Sequence, residues 1–327
     1  MKLLVLGGTQ FAGRAVVEAA LDDGHEVTLF HRGRTGPDLF PQAEHVLGDR
    51  DGGLGALAGG TWDACVDVSG YVPRVVRASA ELLAAGVARY VFVSSVSVYE
   101  ELRGPSDETA PLASLADETT ESIEEAYGGL KVLCESVVTE VYGDRSVLAR
   151  PTFVVGPHDH TGRFTWWVNR GTRGGTVLVP EGSAWRIQLI DVRDLARFLL
   201  LAAADPSLSG AYNVVGPRVE VGLVDVVEEA ASLAEAEIRP VVVGDAFLVE
   251  QGVSERELPL WEPEPEWAGW AHASAERALA AGLLHTPVVE TIHATLDRAP
   301  TVDGVGLTPE REAELLAAWA EQGGGSM

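Results

Sequence analysis

The chain has 327 residues, 46% of them hydrophobic, with 49 acidic against 24 basic side chains and a formal net charge of −25. That length supports a large buried core, and the charge opposes docking onto phosphate backbones, whose affinity comes from Lys and Arg, so nucleic acid is excluded as a general partner. The two cysteines, Cys65 and Cys134, lie in apolar stretches and read as inert core thiols. The first apolar run ends at once in Gly7-Gly8 with no cleavage site after it, and no run reaches membrane-spanning length. The expectation is a cytoplasmic protein with no membrane partner.

Residues 3–6, 26–30, 45–47, 64–68, 90–94 and 146–149 are short apolar runs that read as strands, and residues 14–21, 73–85 and 123–142 carry the amphipathic period of helices. This alternation predicts an α/β fold, a doubly wound parallel Rossmann-type sheet whose ligands sit beyond the carboxyl ends of the strands. After Pro157 the pattern becomes irregular and richer in Gly, Pro and Trp, which suggests a smaller C-terminal substrate lobe. The expected division is 1–156 for the dinucleotide-binding part, with returning segments at about 187–217, and 157–186 plus 218–327 for the lobe. Residues 186–190 read as a strand running into a helix, with Asp191 and Asp194 as caps or structural acids, and 211–215 as a further strand. Residues 261–270, with Pro263 and Pro265 among Glu262, Glu264 and Glu266, read as a loop. Residues 307–319 read as a last helix and 323–326 as a flexible tail.

The first strand runs into Gly7-Gly8-Thr9-Gln10-Phe11-Ala12-Gly13, with a helix expected from Arg14. A glycine-rich turn between strand and helix turns backbone amides and the positive helix end toward a pyrophosphate, which predicts a dinucleotide site with Gly7, Thr9, Gln10, Phe11 and Gly13 at the phosphates. The second strand ends in Phe30-His31-Arg32-Gly33-Arg34, with no acid for ribose hydroxyls. Arg32 and Arg34, beside His31, suit a 2′-phosphate, so NADP(H) is favoured over NAD(H); the alternative pairs them with surface acids such as Asp38. Asp49 and Arg50 follow the third strand, where a carboxylate can meet an adenine amino group.

At the other end of the cleft, residues 90–94 continue into Ser95-Val96-Ser97-Val98-Tyr99, and a helix carries Tyr127-Gly128-Gly129-Leu130-Lys131. Lys131 is one of two lysines, Lys2 being the other; every other basic residue is arginine. An ammonium on a flexible stem can sit beside a phenol, and the spacing puts Tyr127 and Lys131 on one helix face. A half-buried tyrosine with a snorkelling lysine is the structural alternative. Residues 161–186 hold Arg163, Arg170, Arg173 and Arg186 against the single acid Glu181, with Trp166 and Trp167. This suggests an anionic ligand on a flat apolar face, contacting Ser97, Arg163, Trp166, Trp167 and Arg186; the alternative is a basic strip paired with the acidic body and tryptophans filling a core. His158, Asp159 and His160 read as loop polarity, and no metal site is expected.

Taken together, the Gly-Gly-Thr turn, Asp49, Ser-Ser-x-Ser-Val-Tyr after a strand, Tyr127-x-x-x-Lys131 and Arg150-Pro151-Thr152-Phe153-Val154-Val155-Gly156-Pro157 resemble the extended short-chain dehydrogenase/reductase family, also called the NAD-dependent epimerase/dehydratase family. The resemblance spans almost the whole chain. It implies that Ser95 hydrogen-bonds the substrate oxygen, Tyr127 is the general acid/base, and Lys131 binds the nicotinamide ribose and lowers the phenol pKa. It also implies that Ser69, Gly70 and Pro151 line the cofactor. Gln10 replaces the middle glycine, which is similar to a Gly-Gly-Thr-x-Phe-x-Gly subgroup that includes chloroplast stem-loop RNA-binding proteins. Val96 and Ser97 stand where sugar dehydratases carry an Asp-Glu pair, so water elimination lacks an acid and a base. The reading is an NADP(H)-dependent keto-reductase acting on a carbonyl or secondary alcohol, plausibly of a sugar or nucleotide sugar. The alternatives are an epimerase with tightly held cofactor and a non-catalytic dinucleotide sensor or RNA-binding scaffold. Family analogy makes residues 123–142 a candidate homodimer helix.

Overall fold

Successive side chains of a strand point to opposite faces, so a strand apolar at every position is covered on both sides. The first strand, β1 (Lys2–Leu6), does this: Leu3 and Val5 enter one apolar cluster and Leu4 and Leu6 another. This computed structural model describes residues 1–264, 267 and 269–323; Pro265 and Glu266 of the expected loop and residues 324–326 of the expected tail lie outside the described residues.

The chain continues through α1 (Phe11–Asp22), β2 (Glu26–His31), β3 (Glu44–Leu47), β4 (Trp62–Asp67), α2 (Pro73–Leu83), β5 (Val87–Val93), α3 (Ile123–Tyr142), β6 (Ser146–Pro151) and β7 (Phe153–Val155). It then forms α4 (Arg163–Thr172), β8 (Gly175–Pro180), α5 (Glu181–Ala184), β9 (Ile187–Asp191), α6 (Val192–Ala204), β10 (Gly210–Val214) and β11 (Gly216–Val221). The last elements are α7 (Leu223–Leu233), β12 (Ile238–Val243), α8 (Asp245–Glu250), α9 (Glu276–Ala280), α10 (Val288–Arg298) and α11 (Pro309–Glu321).

Seven strands form one parallel sheet in the order β10-β6-β5-β4-β1-β2-β3. Helices α1 and α6 cover one face through Val16, Val17, Leu195 and Leu199, and α2 and α3 cover the other through Val76, Ala80, Cys134 and Val138. The strand order reverses beside β1, which opens the ligand crevice between the ends of β1 and β4. Two small sheets, β11-β9-β7 and β12-β8, pack with α4 and α7 around a third apolar cluster. Where the sequence pattern looked irregular, the chain therefore forms β7, α4, β8 and α5. These elements are 3 to 10 residues long, too short for a window of periodicity to single them out. Asp191 caps α6 by accepting the Arg193 amide at 2.8 Å, and Asp194 accepts the Thr286 amide and hydroxyl, both at 2.7 Å.

Candidate functional site

A cleft of about 600 Å³ lies at that crevice, lined by Gly7 through Gly13, Phe30 through Thr35, Gly48 through Asp51, Val68, Ser69, Tyr71, Val72, Val75, Ile123 and His160. Gly7 and Gly8 take φ of 111° and 103°, and a Cβ on Gly13 would meet the Gly8 nitrogen at 2.7 Å, so the turn needs these glycines. Gln10 does not: it is the N-cap residue of α1 in extended conformation (φ −141°), and α1 begins at Phe11 rather than Arg14. The left-handed position falls on Phe11, at φ 38°, which is buried and meets His160 edge-to-face at 5.9 Å.

Arg32 and Arg34 are both exposed on this cleft, and neither forms an ion pair with a described residue, Asp38 included. Between them, the Gly33 amide donates to His31 Nδ1 at 3.1 Å, which leaves Nε2 of His31 to donate to His45 Nδ1 at 2.8 Å. His45 Nε2 in turn reaches the Phe40 carbonyl at 3.1 Å. His31, 7% exposed, thus supports the Arg32-Gly33-Arg34 turn from beneath, and burial, with His45 beside it, holds its pKa below the usual value.

Arg50 departs from expectation. Its guanidinium is clamped to buried Asp67 at 2.5 and 2.6 Å and donates to Ser79 at 2.8 Å, while Tyr90 donates to Asp67 at 2.8 Å. The buried charge pair satisfies itself, and Arg50 forms part of the cleft floor with no free fork for a ligand. Asp49 remains on the lining, accepting only the Asp51 amide at 3.0 Å. Ser69 lines the cleft with its hydroxyl turned to the Leu6 carbonyl at 3.0 Å. Gly70, Tyr127, Lys131 and Pro151 stand outside this lining; Gly70 acts through its carbonyl, which accepts from Lys131.

The three expected reactive residues come together beyond β5. Ser95 caps the turn Val96–Val98 by accepting the Ser97 amide at 3.0 Å, and its hydroxyl donates to Ser97 Oγ at 3.0 Å. α3 approaches this turn so closely that a Cβ on Gly128 would lie 2.1 Å from the Ser97 carbonyl oxygen. The glycine after Tyr127 is what lets the phenol reach Ser95. Burial pushes the Tyr127 pKa up to about 12, Tyr71 adds to this, and a hydrogen bond with Ser95 and the Arg163 guanidinium oppose it. Lys131 is 3% exposed; its Nζ donates to the carbonyls of Gly70 at 2.7 Å and Val93 at 2.9 Å and lies 5.9 Å from the Tyr127 ring centre. Burial lowers its pKa to about 8. In this arrangement the groups pulling the phenol down are Ser95 and Arg163, while the Lys131 ammonium is bonded to backbone carbonyls.

The expected substrate residues separate. Trp167 is fully buried and donates to the Pro259 carbonyl at 2.6 Å, so it fills the core. Trp166 stacks edge-on against it at 4.6 Å. Arg186 pairs with Glu220 and donates to the Ala271 carbonyl at 2.9 Å, and Arg170 pairs with buried Glu312 at 2.8 Å. Two of the four arginines of the basic strip are thus paired with acids, Arg170 in the interior and Arg186 at the surface. Arg163 and exposed Arg173 form no ion pair with a described residue, and Arg163 lies over the Phe153 ring at 4.7 Å.

Two residues that the sequence reading did not place belong here. His160 lines the cleft against Phe11, although its loop carried no period or motif. Tyr71 lies 6.5 Å from Tyr127, ring centre to ring centre, with Lys131 Nζ over its face at 4.6 Å. Its position directly after Ser69-Gly70 was the available signal.

The fold and cleft define a doubly wound α/β protein with a glycine-turn crevice, and comparison adds to this. Residues 64–215 match the model of the NAD dependent epimerase/dehydratase family. The chain is 25% identical over 256 residues to the chloroplast stem-loop binding protein of 41 kDa b from Arabidopsis thaliana, covering 72% of this chain and 65% of that protein's length. It is 29% identical over 237 residues to the 2-alkyl-3-oxoalkanoate reductase of Stenotrophomonas maltophilia, covering 64% of this chain and 68% of the reductase. Among solved structures, the UDP-glucuronic acid 4-epimerase from Bacillus cereus in complex with NAD superposes with a TM-score of 0.66 at 15% identity, over 91% of this chain and 96% of that one. Among the described residues no helix is long and apolar enough to cross a membrane.

Proposed function

We propose that the chain is an NADP(H)-dependent oxidoreductase acting on a carbonyl or secondary alcohol, with Tyr127 as general acid/base. The observation that carries this reading is the convergence of Ser95 and Tyr127, with buried Lys131 behind them, beyond the sheet that also forms the glycine-turn cleft. The residues present fit a dinucleotide: Gly7, Gly8, Thr9, Gln10, Phe11 and Gly13 would hold the pyrophosphate, Arg32 and Arg34 a 2′-phosphate, and Asp49 the adenine edge. Bound nicotinamide supplies or accepts the hydride. The chain's own part is protonic: Ser95 donates a hydrogen bond to the substrate oxygen, and the Tyr127 hydroxyl gives that oxygen its proton or takes it back. A phenol near 12 is a weak proton carrier at neutral pH, so positive charge near the bound substrate is needed to bring it into range. Lys131, held by two carbonyls, fixes α3 and Tyr71 around the phenol. The segments outside the seven-stranded sheet would form the substrate lobe, with Arg163 and Trp166 as its contributions to the site.

The likeness to a 2-alkyl-3-oxoalkanoate reductase supports a reductase, and the epimerase neighbour supports a second reading in which the same residues reverse a step and the cofactor is retained. A scaffold for RNA, the reading suggested by the chloroplast relative, is opposed by the net charge of −25. Tyr127→Phe tests the proposal: turnover falls at least about a thousandfold while NADPH affinity holds. Retained turnover removes Tyr127 from the mechanism.

A further inference from the structure

The Lys131 ammonium is enclosed by the protein. It donates to the carbonyls of Gly70 at 2.7 Å and Val93 at 2.9 Å, and the ring centres of Tyr71, Phe92 and Tyr127 lie 4.6, 4.9 and 5.9 Å from it. An ammonium has three protons to give; two are bonded to backbone, and aromatic faces, which attract cations, surround what is left. Lys131 is 3% exposed and is not part of the cleft lining. A ligand lying in the cleft therefore meets whatever stands beside Lys131, and that is Tyr71.

Tyr71 is the member of this enclosure that lines the cleft; it is 41% exposed, and its ring packs against Tyr127 at 6.5 Å between centres. Its position is held from behind. The ammonium grips the Gly70-Tyr71 segment twice, through the Gly70 carbonyl and through the Tyr71 ring face. Gly70 itself lies so close to β5 that a Cβ would stand 2.5 Å from the Phe92 ring. The hydroxyl of Tyr71 forms no hydrogen bond with a described residue. On the same wall Ser69 has its hydroxyl turned to the Leu6 carbonyl at 3.0 Å, and Val68, Val72 and Val75 are apolar, so Tyr71 carries the uncommitted polar group of this side of the cleft. A phenol is neutral at neutral pH and both donates and accepts, which suits the hydroxyls of a sugar.

We propose that Tyr71 is the residue that meets the nicotinamide-side ribose of the dinucleotide, its hydroxyl bonding a ribose hydroxyl, and that Lys131 is a positioning residue holding Tyr71 and Tyr127 from behind. The inference rests on the oxidoreductase reading and departs from the family resemblance, which gives the ribose contact to Lys131. Tyr127, the proton carrier of that reading, marks the nicotinamide end of the cleft, and Tyr71 is the lining residue whose ring packs against it.

Tyr71→Phe keeps the ring over the ammonium and removes the hydroxyl. Nucleotide-stripped protein is titrated with NADPH, NADH and adenosine 2′,5′-bisphosphate, which lacks the nicotinamide-side ribose. The variant is expected to bind NADPH and NADH alike about threefold to tenfold more weakly, the loss of one hydrogen bond, and to bind the bisphosphate unchanged. Lys131 is read separately, because Lys2 is the only other lysine in the chain and is exposed. Reductive methylation with formaldehyde, followed by peptide mapping, should modify Lys2 and leave Lys131 unmodified in the wild type and in Tyr71→Phe, with or without NADPH. Tyr71→Ala opens the enclosure to the cleft, and Lys131 should then be modified. Undiminished dinucleotide affinity in Tyr71→Phe, an equal loss for the bisphosphate, methylation of Lys131 in the wild type, or its absence in Tyr71→Ala overturns the proposal. Failure of both dinucleotides to bind the wild type brings down the oxidoreductase reading itself, whereas dinucleotide binding that Tyr71→Phe leaves intact refutes the ribose contact alone.

Discussion

Replacing Lys131 by methionine measures what the buried ammonium does to the fold. Its Nζ is held by two carbonyls, at 2.7 and 2.9 Å, and lies over the rings of Tyr71 and Phe92 at 4.6 and 4.9 Å. These contacts do not offset lost hydration, because burial brings the pKa from 10.5 to about 8. A folded-state pKa below the unfolded one means that between about pH 8 and 10.5 the unfolded chain binds more protons, so stability rises with pH across that window. At about 1.4 kcal/mol per pH unit, the displacement amounts to about 3 kcal/mol. Wild-type stability minus Lys131→Met stability should therefore climb by about 3 kcal/mol between pH 7 and 10.5. Cys65 and Tyr90, which burial pushes upward, titrate in both proteins and cancel from the difference. Urea unfolding of nucleotide-free protein at four pH values reads it directly. A difference that stays flat with pH would show that Lys131 is not held as a destabilised cation, and the argument that it is kept for chemistry would lose its physical basis.

Gly128→Ala should lower turnover about a hundredfold while NADPH binding persists, since the new Cβ would lie 2.1 Å from the Ser97 carbonyl and must move Tyr127 away from Ser95; unchanged kcat would mean that α3 shifts without moving the phenol. Arg50→Met leaves the Asp67 carboxylate buried without its partner, so chemical denaturation should show about 3–5 kcal/mol less stability, and a loss under 1 kcal/mol would show the pair to be dispensable. His31→Phe takes the acceptor from the Gly33 amide, and NADPH should bind about fivefold more weakly with NADH little changed; an equal loss for both nucleotides would assign His31 to the general fold.

Most strands of the main sheet were legible because they are buried on both faces and read as continuous apolar runs, and α3 was legible from end to end because one face stays wet; the order of the strands within the sheet leaves no mark on that periodicity. The glycine turn was legible because its residue type is tied to local geometry, and the pairing of Tyr127 with Lys131 because four residues separate them on a helix; Ser95 was singled out by the family resemblance. The fate of charges was not: whether Arg50, Arg170 and Arg186 face a ligand or an acid of the same chain depends on Asp67, Glu312 and Glu220, of which Asp67 lies 17 residues from Arg50 and Glu312 lies 142 from Arg170. Trp167 was misplaced for the same reason, since its indole partner is the distant Pro259 carbonyl. Gln10 in place of a glycine became intelligible only when the left-handed backbone was found one residue later, at Phe11.

Fluorescence titration of the nucleotide-stripped protein with NADPH and NADH in parallel tests the central claim most directly. Arg32 and Arg34, exposed beside the glycine turn and without an ion pair among the described residues, predict binding of both nucleotides, with NADPH tighter by about tenfold or more. Binding of neither nucleotide would contradict the account, and tighter binding of NADH would overturn the role given to the two arginines.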